Sequence, residues 1–111
     1  MFKKVCIIGC GLIGSSLARA IKKHNLSEKI VSSNRSDIVN KKVLDLKIVD
    51  DSSSDTQKMV NDSDLIIIAT PLSSYENVIL KIKNSLKNGM ILTDVGSVKE
   101  RVISLVEKAI P

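Results

Sequence analysis

Short apolar runs alternate along this chain with stretches of helical period, and that alternation predicts an α/β fold. Val5-Cys6-Ile7-Ile8 is a continuous apolar run, as expected of a strand covered on both faces. Ile13, Leu17, Ala20 and Ile21 then recur at helical spacing. Lys22-Lys23-His24 follow as cations suited to the helix's carboxyl end. Ile30-Val31-Ser32-Ser33 reads as a second strand, with a helix around Ile38 to Leu46 and a weak strand at Lys47 to Val49 after it. The polar run Asp50 to Asp55 reads as a loop, and Met59 and Val60 belong to a short helix starting near Thr56. Leu65-Ile66-Ile67-Ile68-Ala69 is the clearest strand, and Thr70-Pro71 ends it.

The second half continues the pattern. Ser73-x-x-Glu76 fits a capping box, ahead of a helix with the stripe Tyr75, Val78, Ile79, Ile82 and Leu86 and with Gly89 as its stop. Met90 to Thr93 is the last strand. Val98, Val102, Leu105, Val106 and Ala109 mark one face of a final helix before Pro111. There is no internal repeat and no linker. Strands alternating with helices in this order predict one domain over residues 1–111, an α/β doubly wound parallel sheet of about five strands. A six-stranded sheet needs one strand more, so the expectation is a Rossmann-like domain truncated before its sixth strand.

Composition narrows the function classes. Aromatics are only 2% of the chain, which argues against a stacking platform for single-stranded nucleic acid. The formal net charge of +5 comes from scattered lysines, such as Lys22, Lys41, Lys81 and Lys87, and reads as a solvated surface. No stretch approaches the roughly 20 apolar residues of a membrane span. Met1 runs directly into a strand, so a cytoplasmic protein is expected. Cys6 and Cys10 are four residues apart across a strand end, too far for a disulfide in extended chain. With no neighbouring His or carboxylate ligands they suggest no metal site, and both read as structural.

Gly9-Cys10-Gly11-Leu12-Ile13-Gly14 follows a buried strand and opens a helix within one βαβ unit, the context that gives a glycine fingerprint its meaning. Gly9 permits the tight turn, Gly11 lets the backbone approach a pyrophosphate, and Gly14 lets helix and strand pack closely. The amides near Leu12 and Ile13 would face the phosphates from the helix's positive end. Twenty residues beyond Gly14, where NAD enzymes carry an acid, stands Asn34. A neutral amide there does not repel a 2′-phosphate, Arg35 offers it a guanidinium, and Ser36 adds donors. NADP is therefore favoured over NAD. The opposing reading makes Arg35 a plain loop cation and lets Asn34 bond the ribose hydroxyls, and Asp37 brings a charge that counts against a phosphate.

Thr93-Asp94-Val95-Gly96-Ser97-Val98-Lys99 follows an apolar strand and opens a helix. It sets the Ser97 hydroxyl at the carboxyl edge of the sheet, where open α/β sheets bind ligands. Together with the glycine block through Leu17 and with Asp64-Leu65-Ile66-Ile67-Ile68-Ala69-Thr70-Pro71, it resembles the amino-terminal domain of the prephenate and arogenate dehydrogenases of tyrosine biosynthesis. The resemblance spans essentially the whole chain, and the Thr93 to Lys99 block is its most specific part. It implies an oxidative decarboxylation, with hydride passing to the nicotinamide while carbon dioxide is lost. It also implies that Ala69, Thr70 and Pro71 line the nicotinamide half of the cofactor. Ser97 would bond the substrate's ring hydroxyl, although Ser97-x-x-Glu100 also fits a helix cap.

The family's base, a histidine in a His-Pro segment, would lie beyond Pro111, and His24 sits at the wrong end of the first helix to replace it. The family's helical dimerisation domain, with an arginine for the substrate carboxylate, is also absent. The resemblance thus implies the cofactor half of a homodimeric enzyme taking prephenate or arogenate, inactive as this chain alone. The alternative is a stand-alone dinucleotide-binding or sensor module without chemistry of its own. A methyltransferase binding S-adenosylmethionine fits less well, because no acid follows the second strand until Asp37.

Overall fold

The computed structural model describes residues 1–94 of the 111. Five parallel strands form one sheet: β1 (Phe2–Ile8), β2 (Ser27–Ser33), β3 (Asp51–Ser53), β4 (Leu65–Ile68) and β5 (Ile91–Asp94). Four helices connect them: α1 (Leu12–Lys23), α2 (Asp37–Asp45), α3 (Thr56–Val60) and α4 (Tyr75–Ile82). The strand order is β3-β2-β1-β4-β5. The chain winds outward from β1 in one direction through β2 and β3, then returns to wind the other way through β4 and β5. That reversal beside β1 is the topological switch point of a doubly wound sheet.

Alternation along the buried strands splits the core between the two faces. Val5, Ile7, Leu65 and Ile67 pack with Leu17, Ala18 and Ile21 of α1 and with Val43 of α2. Cys6, Ile8, Ile66 and Ile68 pack with Met59 and Val60 of α3 and with Val78 and Ile82 of α4. Both cysteines are buried and free. Cys6 lies opposite Val31 of β2 and Ile66 of β4, so its thiol is surrounded by hydrocarbon. Burial pushes that thiol up to about 12, with the nearby Lys4 charge opposing the shift.

Three local expectations are corrected. The third strand is Asp51–Ser53, not Lys47 to Val49, and it lies inside the run read as a loop. Ile48 and Val49 are buried, but they reach the core from a turn whose Lys47 has φ +57°. Pairing with β2 begins at Asp50, whose N–H donates to the Ile30 carbonyl and whose Oδ2 accepts from the Ile30 N–H. The capping box at Ser73 is also not formed. After Pro71 the chain makes a 3₁₀ turn, Leu72–Ser74, with the Ser74 N–H donating to the Pro71 carbonyl. Helix α4 starts one residue later than the box requires, and its N-cap Ser74 makes no side-chain cap bond. It ends at Ile82, well before Gly89, which instead turns the chain into β5 with φ +93°.

Candidate functional site

The glycine turn is built by contacts that leave no room for side chains. Gly9 has φ +85°, and a Cβ there would lie 2.7 Å from Thr70 Cγ2 and 3.2 Å from the Thr70 nitrogen. The end of β4 therefore presses directly on the end of β1, where the Ala69 N–H donates to the Ile8 carbonyl. A Cβ at Gly14 would lie 2.9 Å from the Gly9 carbonyl oxygen, so α1 rests on the turn itself. Gly11 differs: a Cβ there would meet no protein atom within 4 Å, and the space its hydrogen leaves is open cleft.

Helix α1 begins at this turn without a side-chain cap and without an acid in its first turn. Among the described residues, the Leu12 and Ile13 amides have no protein acceptor, and their side chains are 88% and 57% exposed. Unpaired N–H groups at the positive end of a twelve-residue helix form a cradle for an anion.

A cleft of about 480 Å³ opens beside the turn, at the carboxyl ends of β1, β2 and β4. It gathers Gly9, Gly11, Asn34, Arg35, Ser36, Ala69, Thr70 and Pro71 in one place. Leu12 faces a second hollow of about 410 Å³ between α1 and α2, next to Arg19 and Lys42. Ile13 and Gly14 line neither hollow, and Gly14 is buried under the turn. Ser97 and the final helix expected from Val98 lie outside the described residues.

The cleft's charge is one-sided. Among the described residues, Arg35 and Lys81 line it and no Asp or Glu does. Among the described residues neither cation has an ion-pair partner, since the only ion pair there joins Lys87 and Asp62 at 3.3 Å. Ser36 caps α2, its Oγ accepting from the Val39 N–H at 3.4 Å, and its own proton stays free to donate. Thr70 Oγ1 is buried at the cleft without a hydrogen-bond partner among the described residues. A buried hydroxyl without a partner is costly unless a ligand supplies one.

Asn34 occupies the predicted position, but its carboxamide turns inward. Its Oδ1 accepts from the Cys10 N–H, and its Nδ2 donates to Asn40 Oδ1 at 2.9 Å. The opposing reading, in which Asn34 bonds the ribose hydroxyls, meets a side chain already engaged by Cys10 and Asn40. The Cys10 side chain points into the core, where burial pushes the thiol up despite hydrogen bonds from Ser15 and Ser32.

Several lining residues escaped the sequence reading: Ser54, Thr56, Asn77 and Lys81. Thr56 shares a hydrogen bond with Ser33 at 2.9 Å, and Gln57 Nε2 donates to the Lys81 carbonyl at 3.0 Å, bringing α3 and α4 to the cleft wall. Ser54 falls in the polar run that reads as a loop, Thr56 reads only as the start of a short helix, which α3 (Thr56–Val60) bears out, and Lys81 reads as one surface lysine among many. Tyr75 was counted only in an apolar stripe. Its hydroxyl donates to the Ile68 carbonyl at 3.4 Å, and burial together with the Asp94 carboxylate pushes the phenol up. Among the described residues, no helix is long and apolar enough to cross a membrane, and no group of His, Cys, Asp and Glu could hold a metal ion.

A family model described as prephenate dehydrogenase, nucleotide-binding domain, matches residues 17–111. The match begins after the glycine motif, so it does not merely restate those glycines. The prephenate dehydrogenase of Lactococcus lactis is 36% identical over 104 residues, 93% of this chain and 29% of that protein. The cyclohexadienyl dehydrogenase of Zymomonas mobilis is 33% identical over 111 residues, 100% of this chain and 38% of that protein. The chain thus spans about a third of the length of these curated relatives. In fold it is similar to the prephenate dehydrogenase of A. aeolicus solved with hydroxyphenyl propionate and NAD+. The TM-score is 0.78 at 21% identity, over 85% of this chain and 33% of that one. With the parallel five-stranded sheet, the cleft at its switch point and the family match in agreement, the chain belongs to the family of prephenate dehydrogenase nucleotide-binding domains.

Proposed function

We propose that this chain is the cofactor-holding part of an NADP-linked dehydrogenase that oxidatively decarboxylates prephenate or arogenate. The observation that carries the proposal is the cleft itself, which joins a glycine turn, uncapped helix amides and, among the described residues, two cations without ion-pair partners and no carboxylate in the lining. A dinucleotide has matching chemistry: a pyrophosphate for the turn and, in NADP, a 2′-phosphate for Arg35. When bound, the nicotinamide supplies the hydride acceptor.

The chain's own residues hold and orient. The amides at Leu12 and Ile13 take the pyrophosphate, and Gly11 lets it approach the backbone. Arg35 and the Ser36 hydroxyl proton take the 2′-phosphate. Ala69, Thr70 and Pro71 line the nicotinamide half, where the unpartnered Thr70 hydroxyl gains an acceptor. Ser97 bonds the substrate's ring hydroxyl, and the base is a histidine supplied from outside these 111 residues. The full-length protein is a cytoplasmic homodimer. That NAD+ accompanies the A. aeolicus enzyme keeps NAD as the other cofactor to test.

Calorimetric titration of the chain with NADP+ and NAD+ tests the proposal. A preference for NADP+ of about tenfold, worth roughly 1.4 kcal/mol, that disappears in Arg35→Ala is the expected result. Tighter binding of NAD+ overturns the cofactor assignment, and binding of neither overturns the function.

A further inference from the structure

Behind the cleft runs a buried polar relay. Asn34 and Asn40 are 9% and 5% exposed, and Ser32 and Ser52 beside them are also buried. The Cys10 N–H donates to Asn34 Oδ1, and Asn34 Nδ2 donates to Asn40 Oδ1 at 2.9 Å. Asn40 Nδ2 then donates back to the Asn34 carbonyl at 3.1 Å, and Ser52 Oγ donates to Asn40 Oδ1 at 2.6 Å. Backbone groups set the direction at both ends. Cys10 offers only a donor, so Asn34 must present its oxygen there and its nitrogen to Asn40. The Asn34 carbonyl offers only an acceptor, so Asn40 must present its nitrogen there and its oxygen to Asn34. Neither amide can flip without setting like against like.

We infer that Asn34 does not read the cofactor's ribose, that Asn40 is a positioning residue which holds Asn34 on the pyrophosphate-binding turn, and that the choice between NADP and NAD lies with Arg35. The inference rests on the dinucleotide function proposed above. It runs against the usual expectation for the end of the second strand, where an acid selects NAD. Here Asn34 lines the cleft, but both ends of its carboxamide are taken up by Cys10 and Asn40. A carboxylate at position 34 keeps the acceptor for Cys10 but turns its second oxygen toward Asn40 Oδ1. Reversing Asn40 to relieve that contact sets its oxygen against the Asn34 carbonyl. The charge strains the turn and never meets the ribose.

Asn34→Asp is the discriminating variant, titrated with NADP+ and with NAD+. Both affinities are expected to fall by about fivefold or more, the scale of one mispaired buried group. Their ratio stays within about threefold of the unmodified chain, which is under 1 kcal/mol. A swing of about tenfold or more toward NAD+ shows a carboxylate reading the ribose and overturns the inference. Asn40→Ala, which touches no cofactor, is expected to weaken both dinucleotides equally. Unchanged affinities in a folded Asn40→Ala chain also overturn it.

Amide exchange separates positioning from plain stability. In the unmodified chain the Cys10 N–H is expected to exchange slowly, like the strand amides of Val5 to Ile8. In Asn40→Ala it becomes fast while those strand amides stay protected. Rapid exchange at Cys10 in the unmodified chain removes the relay whether or not any variant folds. An unmodified chain that binds neither dinucleotide overturns the proposed function and the cofactor half of this inference. Dinucleotide binding with a swing toward NAD+ in Asn34→Asp overturns this inference alone.

Discussion

Thr70 lies so close under the glycine turn that a methyl group on Gly9 would sit 2.7 Å from its Cγ2. Gly9 is therefore fixed twice, by its φ of +85° and by the approach of β4. Gly9→Ala is expected to destabilise the fold by about 2–4 kcal/mol, combining left-handed backbone strain with overpacking. Urea unfolding measures this directly. Gly11→Ala is the contrast, because its Cβ meets nothing within 4 Å. It is expected to leave stability within about 1 kcal/mol and to weaken dinucleotide binding sharply. A Gly11→Ala chain that binds normally contradicts the placement of the pyrophosphate.

Lys81 lines the cleft and Lys83 does not, although both are exposed cations at the end of α4. Lys81→Ala is expected to weaken NADP+ binding by about threefold, the size of one exposed charge contact. NAD+, which carries less negative charge, should be affected less. The difference should fade in high salt as screening shortens the reach of the charge. Lys83→Ala should change neither affinity, and equal losses from the two variants mean that only net charge matters.

Helix and strand order was legible because it rests on burial. Every residue of Val5–Ile8 and Leu65–Ile68 is buried, and an apolar run reports that state directly. Strand β3 was not legible for the converse reason. It is a short edge strand of Asp51, Ser52 and Ser53, held by pairing with β2 and by a 2.7 Å bond between the Ser52 and Ser32 hydroxyls. Hydrogen bonding of that kind leaves no apolar trace, while Ile48 and Val49 leave one without being a strand. The glycine spacing marked the turn correctly in position. The direction of Asn34 was hidden, because it depends on Asn40 and Ser52, residues brought alongside only by folding.

Cys6 links burial to pH. Its thiol is pushed up to about 12 from an ordinary 9.0, so the folded chain gives up this proton later than the unfolded chain does. The neutral thiol's contribution is fully present below pH 9 and is lost as the pH rises toward about 12. Cys6→Ala removes it. The stability difference between the unmodified chain and the variant, read by urea unfolding, should be constant at about pH 7 to 8.5 and shrink above that. A difference that stays constant through about pH 11 contradicts the buried thiol. Thiol reagents at neutral pH should label Cys6 only as fast as the chain opens.

The most direct test of the site is a residue-resolved amide map of the isotope-labelled chain during titration with NADP+. The amides of Gly9 through Ile13, Ser33 through Ser36, and Ala69 and Thr70 are expected to shift together and to saturate with a single dissociation constant. That pattern places the dinucleotide across the ends of β1, β2 and β4. Shifts confined to the hollow beside Arg19 and Lys42, or none at the glycine turn at saturating cofactor, contradict the account.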